Sequence, residues 1–229
     1  MKRLINYLGQ LRIYSLVDWM LLLIVSGANF FQFAGGVFMH IGFLGFLESQ
    51  HQHPNREPVS DVHAIAVCMS AAAMFGGDMQ KRAYYFLFFS GIYALKKYNR
   101  WALVSPVARG MQVWLILQLL LPFDSALLWC AAIGFTVRNA LGDFRDIEHD
   151  RAEGMRTWPV ALRVKQDWVF VHLVATLTTT WLWWSFSSLP MWIPTALNIV
   201  EVGTYWLTPR PSNKKAAQEL RKILQCVWG

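Results

Sequence analysis

Apolar positions along this chain fall in blocks rather than alternating with polar ones. The blocks lie near residues 17–33, 35–47, 61–77, 83–98, 102–121, 125–141, 166–188 and 190–208. Runs this long exceed an ordinary strand and predict helices. Several fall short of the roughly 20 residues needed to cross a hydrocarbon layer at 1.5 Å per residue. The polar interruptions are unequal. Those at 48–60, 95–101 and 142–165 are long, whereas "GGDMQKR", "PFDS" and "SSLP" are short. Long connections at one end of a helical bundle are where a site is expected. The tail "SNKKAAQELRKILQCVWG" changes pattern. Ala217, Leu220, Ile223, Leu224 and Val227 recur at helical spacing, with Ser212 as a candidate cap, so the tail predicts an amphipathic surface helix. We expect a transmembrane domain over 1–210 and a basic amphipathic tail over 211–229.

Composition turns the blocks into membrane spans. The 229 residues are 55% hydrophobic and 15% charged, against about 25% charged in soluble domains. The expected fold is therefore all-α: a polytopic integral membrane protein of about eight transmembrane helices. No cleavable signal peptide is expected at the basic start "MKRLINYLGQLRIYS". Cys68, Cys130 and Cys226 have neither metal-ligand nor disulfide spacing. The net charge of +7 is distributed by side. With eight spans, both termini and the three long connections share one face and receive nearly all the lysine and arginine, while the other face receives Lys81 and Arg82. That bias predicts the cytoplasmic or equivalent side, affinity for anionic lipid headgroups and no nucleic-acid partner.

One polar segment concentrates acid. "GDFRDIEHDRAEGMRTWPVALR", residues 142–163, holds Asp143, Asp146, Glu148, Asp150 and Glu153, five of the chain's fourteen acidic residues. Asp143, Asp146 and Asp150 are three and four apart, so on a helix they share a face. Three carboxylates on one face need a cation among them. Mg²⁺ accepts carboxylate oxygens and shares its shell with substrate phosphates. Arg145, Arg151 and Arg156 are near enough in sequence to neutralise the remaining phosphate charge. The alternating signs also suit a salt-bridged, solvated loop.

The string "RNALGDFRDIEHDRAEGMRTWPVALR" resembles the second signature of the UbiA-type intramembrane prenyltransferases: an Arg, an acidic D-x-x-D-x-x-x-D run, then R-x-x-G-x-x-T/S-x-P-V. Arg138, Asp143, Asp146, Asp150, Arg151, Gly154, Thr157, Pro159 and Val160 match it. "IYALKKYNR" is similar to the family's Tyr followed by Lys at the cytoplasmic end of the fourth helix, matching Tyr93, Lys96 and Lys97. The resemblance implies a helical ring around a central cavity open to the membrane. Two Asp-rich motifs there hold Mg²⁺ and the diphosphate of a polyprenyl donor, and a lipophilic, aromatic acceptor captures the allylic cation. It assigns catalysis to Asp143, Asp146, Asp150, Tyr93 and Lys96. Substrate binding falls to Arg138, Arg145, Arg151, Arg156, Arg56 and Lys97, with Asn29 a further candidate from the first span.

The family's first signature, N-D-x-x-D-x-x-x-D, is replaced by "FLESQHQHPNREPVSD". Glu48, His51 and Asn55 align with its acids. The expected metal set is therefore Asp143, Asp146, Asp150 and Glu48, with His51 a poor oxygen substitute and Asn55 neutral. The family usually has nine spans, against eight here. Two functions follow: a Mg²⁺-dependent prenyltransferase, or a non-catalytic, lipid-binding relative within a larger membrane complex. Seven other positions draw attention. Asp18 reads as packing polarity and Glu201 as a site residue or a helix–helix partner of Asn198. Arg109 reads as a diphosphate ligand or a snorkelling side chain, and Trp181, Trp183, Trp184 and Trp192 as an interfacial belt.

Overall fold

The computed structural model describes residues 10, 12–50, 57–76, 78–97, 101–208 and 210–228. Among these the structure is all-helical, with eleven α-helices. Eight correspond to the apolar blocks: α1 Ile13–Val25, α2 Phe30–Gln50, α3 Asp61–Phe75, α4 Met79–Ala94, α5 Ser105–Leu117, α6 Ala126–Arg145, α9 Val171–Trp184 and α10 Trp192–Leu207. Two short helices, α7 Ile147–Ala152 and α8 Trp158–Ala161, lie in the acidic segment, and α11 Pro211–Trp228 forms the tail. A 3-10 turn, Leu95–Lys97, follows α4.

The first expected span, 17–33, is broken where the chain turns. Gly27 takes a positive φ of 75°. Asn29 Oδ1 then accepts from Gln32 N at 3.0 Å while Gln32 Oε1 accepts from Asn29 N at 3.0 Å. This reciprocal cap starts α2 five residues earlier than hydropathy alone suggests. It also gives Asn29 a local role. Asn29 is exposed, at the end of α2 opposite Glu48.

The eight long helices close a circuit. Each packs on the next from α1 through α6, α6 packs on α9, α9 on α10, and α10 returns to α1. Eight helices therefore suffice to close the ring. The tightest pair is α2 with α3, and glycine explains it. A Cβ at Gly42 would lie 2.5 Å from Cys68 Sγ and 3.0 Å from Ala64 O. Only a residue without a side chain lets these backbones approach so closely. Gly110 does the same between α5 and α6, where a Cβ would meet Thr136 Oγ1 at 2.0 Å and Ala132 O at 2.6 Å.

Trp19, Phe43, Phe86, Phe135 and Trp183 belong to one buried cluster inside the ring. Trp183 stacks on Phe135 at 6.0 Å between ring centroids, 6° from parallel. It is a core residue rather than part of an interfacial belt, whereas Trp192 is exposed. A second cluster joins Tyr14, Leu173, Tyr205 and Ala216, and it docks the start of α11 on α1, α9 and α10. The outside of the ring is apolar: Phe31, Tyr84, Phe88, Ile133, Val174 and Ile199 are all exposed. Among the described residues one helix, Phe30–Gln50, is long and apolar enough by itself to cross a membrane.

Candidate functional site

Beside its apolar cluster the interior of the ring holds buried charged groups. Asp18 on α1 is fully buried and pairs with Arg138 Nη1 on α6. Arg138 also donates to Thr179 Oγ1 on α9 at 3.1 Å. A buried charge requires such a partner, which makes Asp18 more than packing polarity. Glu201 is likewise buried. It accepts from Thr180 Oγ1 at 2.7 Å and Asn198 Nδ2 at 2.9 Å, a helix–helix link between α9 and α10.

Arg138 also lines a cleft of about 90 Å³, several times the roughly 10–15 Å³ that one water needs. Six cations line it: Arg12, Lys96, Arg109, Arg138, Arg145 and Arg210. They come from the start of α1, the turn after α4, the second turn of α5, the last three turns of α6 and the residue before α11. Asp143, Asp146, Tyr93 and Asn139 face the same space. Tyr93 Oη donates to Asn139 Oδ1 at 2.9 Å, so the matched tyrosine is tied to the helix that carries the acids.

The three aspartates do not share one helical face. Helix α6 ends at Asp146, whose backbone leaves helical geometry at φ −115°, ψ 25°, and α7 starts afresh. Asp143 and Asp150 converge on Lys96. Nζ bonds Asp143 Oδ1 and lies 3.8 Å from Asp150 Oδ2. Asp146 has a different set of partners. It takes Arg145 Nη2 at 2.6 Å, Arg210 Nη1 at 3.1 Å and Ser212 Oγ at 2.5 Å.

Electrostatics follow the geometry. Burial pushes the Asp143 carboxyl up to about 6 despite Lys96 beside it. Burial raises Asp150 as well. Burial would also raise Asp146, but Arg145 and Arg210 hold it well below the usual carboxylate range. Lys96 is held above its ordinary value, because Asp143 and Asp150 outweigh the burial that opposes its charge.

The other matched residues shape the segment. Gly154 has φ 71°. Met155 N donates to Asp150 O at 2.8 Å and Gly154 N to Arg151 O at 3.1 Å, a glycine-terminated helix end that needs the left-handed conformation. Pro159 sits in the first turn of α8, where its missing N–H costs nothing. Arg151 is exposed and donates to the carbonyls of Val164 and Lys165. It closes the loop rather than facing the cleft. Arg156 is exposed and outside the cleft lining. Arg145 is buried and also donates to Asn213 Oδ1 at 2.9 Å, binding the tail. Glu48 meets Arg12 Nη2 at 3.3 Å. Arg12 itself takes a left-handed conformation, φ 47° and ψ 55°. His51, Asn55 and Arg56 lie outside the described residues, as does the side chain of Lys97.

Two oxygens bear on a metal. Asp143 Oδ2 and Asp150 Oδ2 are buried without a hydrogen-bond partner, the acceptor type a hard cation takes. Among the described residues, no three His, Cys, Asp or Glu side chains form a metal-binding group. Asp143 and Asp146 line the cleft, and Asp150 approaches it through Lys96. The sequence overlooked Arg210 and Ser212, which read only as tail residues, and the pairing of Asp18 with Arg138. For that pair a signal existed: a span acid and a span arginine, each needing the other. Comparison with protein-family models, with curated proteins and with solved structures found no match.

Proposed function

We propose that this chain is an intramembrane prenyltransferase of the UbiA type its acidic segment resembles, moving a prenyl group from a polyprenyl diphosphate to a lipophilic, aromatic acceptor. The observation that carries the reading is convergence. Lys96, Tyr93, Asp143 and Asp146 come from sequence-distant segments to one cleft, with five arginines around it, and Asp150 lies 3.8 Å from Lys96 Nζ. The ring supports a lipid setting: its charges lie inside and its outer face carries exposed Phe88, Ile133, Val174 and Ile199. In this reading the eight long helices are embedded in the bilayer and the cleft faces the cytoplasmic side.

Asp143 and Asp150 would hold Mg²⁺ through their unpartnered oxygens. When bound, the metal supplies charge stabilisation for the departing diphosphate. Lys96 adds preorganised positive charge at the same place. Phe43 and Phe135 wall the inner side of the cleft and keep water from a reactive carbon.

The test is turnover by the purified protein with labelled prenyl diphosphates, Mg²⁺ and aromatic acceptors. We expect diphosphate release that falls at least about 100-fold in Asp143→Asn, the scale of losing one electrostatic stabiliser. No release with any chain length, together with no effect of the substitution, overturns the proposal.

A second reading is favoured by one observation. Asp146 is committed to Arg145, Arg210 and Ser212, and Glu48 contacts Arg12, so the full acid set of an enzyme is not at hand. A lipid-binding subunit of a larger membrane complex fits that state. It predicts stable co-purification with other membrane subunits and no turnover.

A further inference from the structure

Arg109 is the cation of the cleft without a counter-ion. Each of the other five pairs with a carboxylate: Arg12 with Glu48, Lys96 with Asp143 and Asp150, Arg138 with Asp18, and Arg145 and Arg210 with Asp146. Arg109 is only 4% exposed and has no carboxylate within ion-pair distance among the described residues. Nη1 donates to Gln112 Oε1 at 3.1 Å and Nη2 bonds His40 Nδ1 at 2.8 Å. An arginine only donates, so His40 Nδ1 accepts. Its ring proton then sits on Nε2, 3.3 Å from Ser15 Oγ. His40 is therefore neutral and supplies no compensating charge. Gln112 is fixed in turn, its Nε2 donating to Ser90 Oγ at 2.6 Å. The guanidinium carbon lies 4.4 Å from the Phe43 ring centroid and 5.2 Å from that of Phe135. Three of its five N–H groups have no protein acceptor among the described residues.

This is a preorganised fork with unspent donors, held between two rings and facing a cavity. It lies deeper than the acids. Phe135 precedes Asp143 by eight residues on α6, about 12 Å along a helix axis. A buried, unpaired charge is expensive to keep. The arrangement suits a ligand that supplies the missing negative charge, and a guanidinium fork matches planar or tetrahedral oxyanions.

The geometry points to an oxyanion subsite at the inner end of the cleft, formed by Arg109 and oriented by His40 and Gln112. The ligand group is a phosphate of the donor or a carboxylate of the acceptor. This rests on the prenyltransferase reading for its substrate, but anion binding needs neither metal nor turnover.

The experiment is calorimetric titration of the full chain in detergent and chelator. Inorganic diphosphate is used in one arm and benzoate in the other, with wild type, Arg109→Gln and Arg109→Lys. We expect wild type to bind at least one anion, Arg109→Gln to bind it at least tenfold more weakly, and Arg109→Lys to fall between. Diphosphate binding assigns the subsite to the donor, and benzoate binding alone assigns it to the acceptor. No binding of either anion by wild type overturns the subsite. So does equal affinity in wild type and Arg109→Gln. Thermal midpoints without ligand identify a glutamine variant that fails to fold, and the comparison then rests on wild type against Arg109→Lys. Arg109-dependent binding without diphosphate release would sink the enzyme and leave the subsite. Turnover with Arg109-independent binding would do the reverse.

Discussion

Two ion clusters stand one helical turn apart on the acidic segment, and they are balanced oppositely. Around Lys96, two carboxylates share one ammonium, and one oxygen of each accepts no hydrogen bond. Around Asp146, one carboxylate takes two guanidiniums and a hydroxyl. The first cluster is short of positive charge and of donors, so it has room for a cation. The second is saturated and joins α6 to the tail. The near-even spacing of three aspartates, three and four apart, carries no hint of this division. What creates it is the end of α6 at Asp146, which gives that carboxylate partners the other two do not share.

The largest effect should come from the saturated cluster. Asp146→Ala leaves Arg145 buried without a carboxylate. Breaking a buried pair from one side costs about 3–5 kcal/mol, so thermal unfolding in detergent should show a steep loss. Asp143→Asn should cost less than half as much, because Lys96 keeps Asp150. Equal losses from the two substitutions would erase the distinction between the clusters.

The next effect is on pH dependence. Asp143 titrates near 6 in the folded chain because burial disfavours its charge, against about 3.9 when unfolded. The folded state therefore binds more protons than the unfolded state between these values. The contribution is fully present below about pH 4 and is lost as pH rises through about 6. The shift corresponds to about 3 kcal/mol. The ligand-free wild type should lose stability relative to Asp143→Asn across that window. Parallel pH profiles of the two proteins would mean that Asp143 is not the underpaired acid described here.

Hydropathy made the eight ring helices legible, because a helix that buries one face and greases the other leaves an unbroken apolar block. It misplaced the turn between α1 and α2, since Gly27 and the Asn29–Gln32 cap are hidden in an apolar string. The candidate site was legible in part. Tyr93, Lys96, Arg138, Asp143 and Arg145 line one cleft, and Asp150 approaches its Lys96. Asp146 also lines the cleft, but Arg145, Arg210 and Ser212 hold it, and two of these partners lie some sixty positions away. Arg151 and Arg156 were assigned to phosphate by proximity in sequence, but the loop turns them outward. Asn29 sits on the opposite end of the ring for the same reason that it is where it is: it caps a helix that runs toward the site.

Smaller effects separate the tail's two halves. Ser212→Ala removes one hydrogen bond to a charged acceptor, worth about 1.5 kcal/mol, and should leave the Lys96 cluster and its pH profile unchanged.

Deleting residues 221–229 should do least. The first turns of α11 are anchored, with Asn213, Ala216 and Ala217 buried, whereas residues 221–227 are exposed along their whole length. Substitutions and losses away from buried features shift stability by about 0.5 kcal/mol or less, so the thermal midpoint should hold within that range. The deletion tests whether α11 is a clamp at its first turns alone. If the midpoint instead drops as far as in Asp146→Ala, the exposed turns carry the anchorage. The saturated cluster would then be a consequence of tail docking rather than its cause.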